Sequence, residues 1–271
     1  MAHDRARQHD AFSRINRFQV QRSGLGAPVR DAFFTAVRED NAYHPLARLI
    51  NARAGSGGGR GGRTRVLLYL SLLWVASGGE HTSQRPASFW ADLLGLPDPM
   101  GAGSRAIRSN WDELEQRGFV SIVRADVSGD PPIVRALKED GSGDRYTIPT
   151  GRTGDTYRRV PEAAWRSLLH ETGLSGPGLC MYLVSLRTFG QTRGGALTFP
   201  RSYFRREYGM GESTRKAGLR NLVDLGVLQE EGVSIETGSG GPRLRGRTQY
   251  TLLQIYEPPA PVTPNAVTKA D

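Results

Sequence analysis

The sequence predicts an α+β fold, mainly α with small β-hairpins, in which one helical unit closed by a hairpin occurs twice. Two observations predict it. Apolar segments recur in the same order at offsets of 113, 114 and 104 residues, and a repeat of that period means one supersecondary unit used again. The 34 glycines and 16 prolines gather in a few segments, as expected of globular modules joined by connectors.

The chain opens with a basic arm, residues 1–63. Within it Asp31–Glu39 and Pro45–Ala54 have helical apolar spacing, with Asp31 and Pro45 placed as helix starters. Both are expected to dock on the body. Gly55–Gly62 reads GSGGGRGG, and the entropy glycine loses on ordering makes it a flexible tether.

Unit 1, residues 64–150, begins with the apolar helix Leu67–Leu73, and unit 2, residues 151–256, has its counterpart in Cys180–Leu186, with a Tyr at the same place. Next come Pro86–Leu96 and Pro200–Met210, each a Pro, a capping Ser, paired aromatics and a Gly. A longer helix follows in each unit. In unit 1 it spans Ser104–Gln116, with Ile107, Trp111 and Leu114 inward; in unit 2 it spans Glu212–Leu225, with Leu219, Leu222 and Leu225 inward. Each ends in Gly before a strand, and the final strands are marked by Tyr146-Thr147-Ile148 and Tyr250-Thr251-Leu252. Residues 257–271 are expected to be a flexible tail.

Helix, short helix, turn, longer helix, strand, Gly-rich excursion, strand is the order of a winged helix-turn-helix. In that arrangement the third helix enters the major groove and the hairpin reaches phosphate or minor groove. The outward residues of the unit 2 helix are Ser213, Thr214, Arg215, Lys216 and Arg220; those of unit 1 are Arg105, Arg108, Ser109 and Asn110. Arg grips guanine or phosphate, Lys supplies a point charge, and Ser and Thr donate to phosphate at a helix start. A solvated helix face is the plainer reading of such residues; the surrounding turn and wing favour DNA contact. In the second wing Arg243, Arg245 and Arg247 alternate along one strand face. The first wing, Asp126–Asp144, holds Arg135 and Lys138 beside Asp126, Asp130, Glu139, Asp140 and Asp144, which would repel phosphate.

Charge divides in the same sense. The net charge is +9. Residues 1–65 hold 12 basic and 5 acidic residues, 66–150 hold 8 and 11, and 151–256 hold 15 and 9. A polyanionic partner is expected, with unit 2 as its main reader and unit 1 available for a homodimer contact.

Residues 64–256 resemble the tandem winged-helix replication initiators of plasmids. The resemblance implies sequence-specific double-stranded DNA binding, with the first unit serving dimerisation and supporting contacts and the second reading origin repeats. Single and tandem winged-helix transcriptional regulators fit the same pattern, and an adaptor using the helix on a protein is the alternative class.

Catalysis is not expected. Gly57–Thr64 has Arg where a phosphate-binding loop needs Lys. No His-x-His pair accompanies Tyr157, so Tyr157, Arg158 and Arg159 read as a basic connector. The five histidines never fall at metal-ligand spacing, and Trp74, Trp90, Trp111, Trp165 and Cys180 read as core. No cofactor is expected. A lone cysteine, the absence of an apolar signal core at the start, and an apolar stretch Val66–Ala76 far short of the roughly 20 residues of a membrane span suggest a cytoplasmic, nucleoid-associated protein.

Overall fold

A computed structural model describes residues 26–35, 44–51, 60–76, 79–127, 129–170, 173–236 and 245–259. The chain starts with β1 (Ala27–Arg30), a 3-10 turn (Asp31–Phe33), α1 (Pro45–Ile50) and α2 (Arg60–Val75). Next are β2 (Thr82–Ser83), α3 (Ala87–Leu93), α4 (Ala102–Gln116), β3 (Val120–Val123) and β4 (Ile133–Ala136). A connecting pair, β5 (Tyr157–Val160) and α5 (Glu162–His170), leads to α6 (Gly176–Gln191), α7 (Arg201–Tyr208), α8 (Glu212–Asp224), β6 (Leu228–Glu236) and β7 (Arg245–Leu252). Gln254–Tyr256 closes the described chain as a 3-10 turn. The fold is mixed α+β, with eight helices and three small antiparallel sheets among the described residues.

The same order of pairing appears twice. In the first half β4 lies between β2 and β3; in the second β7 pairs with β6 and also bridges Leu197, from the segment before α7. Helix, a short β-paired segment, helix, helix and hairpin therefore recur, the segment being a strand in the first half and a single bridge in the second. The leading helices, α2 and α6, are apolar on nearly every side, which a helix can be only when buried all round. Tyr69 and Tyr182 sit at equivalent places on them, both fully buried. Each donates to a backbone carbonyl beyond its own hairpin, Tyr69 to Leu137 at 2.8 Å and Tyr182 to Tyr256 at 3.1 Å.

One core runs through both halves. Trp74, Trp90, Trp111 and Trp165 all belong to it, and burial pushes the Cys180 thiol up to about 12. Gly62 allows α2 to press on Ile50 of α1, because a Cβ there would collide with the Ile50 carbonyl.

Several expectations are corrected. The predicted tether does not reach Gly62: α2 already starts at Arg60, where packing on α1 offsets the entropy of ordering glycine. Asp31 does not start a regular helix but a 3-10 turn, and its carboxylate accepts from Arg158 and Thr156. Tyr157–Arg159 is a strand, β5, paired with β1, so the arm contributes backbone to the body. The first hairpin returns earlier than Tyr146-Thr147-Ile148 suggested: its returning strand is β4, which starts at Ile133, so Arg135 lies in the sheet and the tip falls between Val123 and Ile133. Tyr146 is buried, its ring edge-on to His81 at 4.9 Å. Glu139 is not a wing acid either; it is fully buried and bound to Arg30.

Candidate nucleic-acid interface

The third helix of the second half, α8, is set by glycines at its start and on its inner face. Gly209, at φ +64°, ends α7 in the left-handed region and Gly211 caps α8 without a side-chain bond. The first-turn N–H groups of α8 therefore lack a side-chain acceptor at the cap and remain suited to an anion. On the inner face Gly218 lies against the Pro177 carbonyl of α6, and Leu219 and Leu222 are buried beside it. Asn221 fixes the far end: its Oδ1 accepts from Ser175 N and Oγ at 2.8 and 2.9 Å, and its Nδ2 donates to Gly173 O at 3.0 Å.

Outward, Ser213, Lys216 and Arg220 are exposed and Thr214 is half-buried. A groove of about 610 Å³ runs between α8 and the β6–β7 hairpin. Arg201, Arg215, Lys216, Arg220 and Arg247 line it, with Asp224 and Glu230 as the acids and Phe199, Leu219 and Tyr250 among the apolar residues. Five cations face two carboxylates, so the groove is electropositive. Arg245 is two residues from Arg247 on β7, hence at the same strand parity, while Arg243 lies outside the described residues.

Arg215 differs from its neighbours. Its Nε and Nη2 donate to the two carboxylate oxygens of Glu212 at 2.9 and 2.7 Å, and its Nη1 donates to Phe199 O at 3.1 Å. That hydrogen bond from Arg215 holds the Glu212 carboxyl below its usual value. Arg215 is thus committed to the fold, and the cations left to meet a ligand on α8 are Lys216 and Arg220. Lys216 is only 3.7 Å from Glu212 in a loose contact, with its side chain 71% exposed. Sequence spacing did not single out Arg201, because it is the first residue of α7 and lies outside the third helix. The Pro-Arg step at the start of the second repeated segment was the available signal.

No family model, curated protein or solved structure matches the chain.

The first half carries the same elements with a different surface. Arg105, Arg108 and Ser109 are exposed on α4 as expected. Asn110 is a correction: it is 8% exposed, and its Nδ2 donates back to Ala106 O at 2.7 Å, so it faces the core side. The start of α4 already has an anion, since Asp98 Oδ2 accepts from Ala102 N at 2.7 Å. Its cleft toward the hairpin is bridged as well. Arg124 reaches Asp112 at 3.2 Å and Glu115 at 3.3 Å, and Glu115 accepts from Ile122 N at 2.9 Å. Lys138 is paired with Asp144, and Arg135 with Glu80.

Among the described residues no group of three or more His, Cys, Asp or Glu is placed to hold a metal, and no helix is long and apolar enough to cross a membrane.

Proposed function

We propose that the chain binds double-stranded DNA sequence-specifically and without catalysis, through two winged-helix units of which the second is the principal reader. The observation that carries this reading is the groove between α8 and the β6–β7 hairpin, with Arg201, Lys216, Arg220 and Arg247 along it. A third helix seated in a major groove would bring Lys216 and Arg220 to base edges or phosphates, and the hairpin would meet the backbone alongside. The anion-occupied start of α4 and its bridged cleft make unit 1 the weaker reader. Arg105 and Arg108 remain available there for supporting phosphate contacts.

The role closest to this arrangement is that of a plasmid or phage replication initiator, or of a transcriptional regulator built the same way. Unit 1 then supplies a homodimer or other protein contact, which its exposed Val123 and Val127 at the first hairpin favour.

Selection of sites from a random duplex library by the purified chain, followed by affinity measurement at several salt concentrations, tests the reading. Enrichment of one site is expected, with each lost phosphate contact reducing the log-log salt slope by about 0.9. Lys216→Glu with Arg220→Glu should weaken the selected site by far more than Arg105→Glu with Arg108→Glu, on the order of 1–3 kcal/mol for each base-reading cation. Equal affinity of the α8 double variant and the parent chain would favour a protein-interaction adaptor.

A further inference from the structure

We propose that a second groove, between β5 and the C-terminal end of α6, binds a nucleoside phosphate. It encloses about 700 Å³, within the range of small-molecule sites. Tyr157, Arg158, Arg159, Phe189, Arg193 and Glu257 line it. Arg158 projects toward α6 and Tyr157 and Arg159 share the opposite face of β5; with Phe189, Arg193 and Glu257 they supply the ring, guanidinium and carboxylate chemistry that a base, a phosphate and a sugar hydroxyl require.

The backbone adds to this. In the β1–β5 pair Asp31 N donates to Thr156 O at 2.9 Å, and the register places Val29 opposite Arg158 and Pro28 opposite Arg159. Alternation along an antiparallel ladder then assigns the cross-strand bonds to Arg158 and Val160 and turns the N–H and C=O of Tyr157 and Arg159 to the open edge. Pro28, which has no N–H to give, stands at one of the non-bonded places, and Arg30, at the other, donates its N–H away from β5 to Glu139. β5 packs beside α6, and the groove lies along both.

The cations are held in graded fashion. Arg158 donates from Nε and Nη2 to the Asp31 carboxylate, both at 3.1 Å, and Gly190 leaves the room its Nη1 occupies against α6. Arg159 donates to Gly26 O at 3.1 Å, with its guanidinium 5.4 Å from the Tyr157 ring centre. Arg193 is exposed and adopts φ +53° just past α6, a place where glycine is usual. It makes no ion pair with a described residue, which leaves it as the mobile charge for a phosphate. Phe189 packs beneath Gly194 at the same corner.

The site shares no residue with the α8 groove, and its test is independent of DNA binding. Calorimetric titration of the full chain with AMP, GMP, CMP and UMP, and with inorganic phosphate and the free nucleosides as controls, is the experiment. At least one monophosphate should bind saturably and more tightly than phosphate or its nucleoside. Arg193→Glu should weaken that binding about tenfold or more, with the duplex affinity of the chain unchanged, whereas Lys216→Glu with Arg220→Glu should leave it intact. The proposal is overturned if no monophosphate binds at about 1 mM, if phosphate alone binds as tightly, or if binding follows Lys216 and Arg220 instead of Arg193.

Discussion

Arg30 Nη1 lies 2.6 Å from Glu139 Oε2, with the two side chains 7% and 0% exposed. The Arg30 backbone N–H donates to the other oxygen at 3.2 Å, and its Nε and Nη2 reach Asp155 and Thr147. One residue of the N-terminal strand thus joins the segment after β4 to the segment before β5. Burial pushes the Glu139 carboxyl above its ordinary value, and Arg30 only partly offsets this.

Removing one member of this pair strands the other. Arg30→Met is expected to destabilise the chain by about 3–5 kcal/mol in denaturant unfolding, because an unpaired buried charge must be desolvated or neutralised. The double variant Arg30→Met with Glu139→Leu should recover much of that loss. A single variant within about 0.5 kcal/mol of the parent chain would show that the pair does not hold the segments together.

The equivalent tyrosines give a smaller, paired effect. Burial drives the hydroxyls of Tyr69 and Tyr182 well above their ordinary pKa, so each acts as a donor, and each satisfies a carbonyl beyond its hairpin. Tyr69→Phe and Tyr182→Phe should each cost about 1 kcal/mol by the same unfolding measurement. The two hydroxyls and rings have different partners, Leu137, Phe33 and Phe119 for Tyr69 and Tyr256 for Tyr182, so their losses should add.

These examples show what was legible in the sequence and what was not. The apolar runs Leu67–Leu73 and Cys180–Leu186 announced two buried helices, and the shared Tyr announced their equivalence. The carbonyl that each Tyr meets depends on where the hairpin returns, which no local pattern encodes. Tyr146 resembled Tyr250 because both precede Thr and an aliphatic residue, yet Val134 and Ala136, buried in alternation over only four residues, form the actual strand. Polar and charged residues were harder still. Asn110 looked outward because Asn is polar, although a bond to its own helix satisfies it in a buried place. Glu139 read as a wing acid and Arg215 as an outward helix residue, and nothing in the local pattern marked Arg30; only their partners reveal that all three belong to the framework.

Close helix contact ties the candidate interface to the core. A Cβ on Gly218 would collide with the Pro177 carbonyl and the Met181 side chain, so Gly218→Ala must move α8 away from α6. The expected loss is about 1–3 kcal/mol of stability. Displacement of Lys216 and Arg220, which ride on the same helix, should also weaken duplex binding under conditions where the variant is still folded. Circular dichroism melting and a binding titration on one preparation check both halves of this expectation.

Glu212 supplies a pH dependence whose sign follows from its partner. Its folded pKa is depressed, first by the Arg215 hydrogen bond, while an unfolded Glu titrates near ~4.3. The native state therefore gains stability from the ionised carboxylate at all pH values above that unfolded value. The gain fades as pH falls through the lower folded value. Comparing thermal midpoints of the parent chain and Glu212→Gln between pH 7 and pH 3 isolates the effect. The difference should be constant from pH 7 to about pH 5 and shrink below it. Once the carboxylate is gone, Arg215 loses the ion pair and one of its two side-chain acceptors, and is held by the Phe199 carbonyl and a neutral amide oxygen at the edge of the groove. Glu212→Gln should consequently bind duplex DNA more tightly at neutral pH and discriminate less between sites, since a guanidinium without its ion pair contacts phosphate on any sequence. An unchanged ratio of specific to non-specific affinity would mean that Arg215 stays anchored without Glu212.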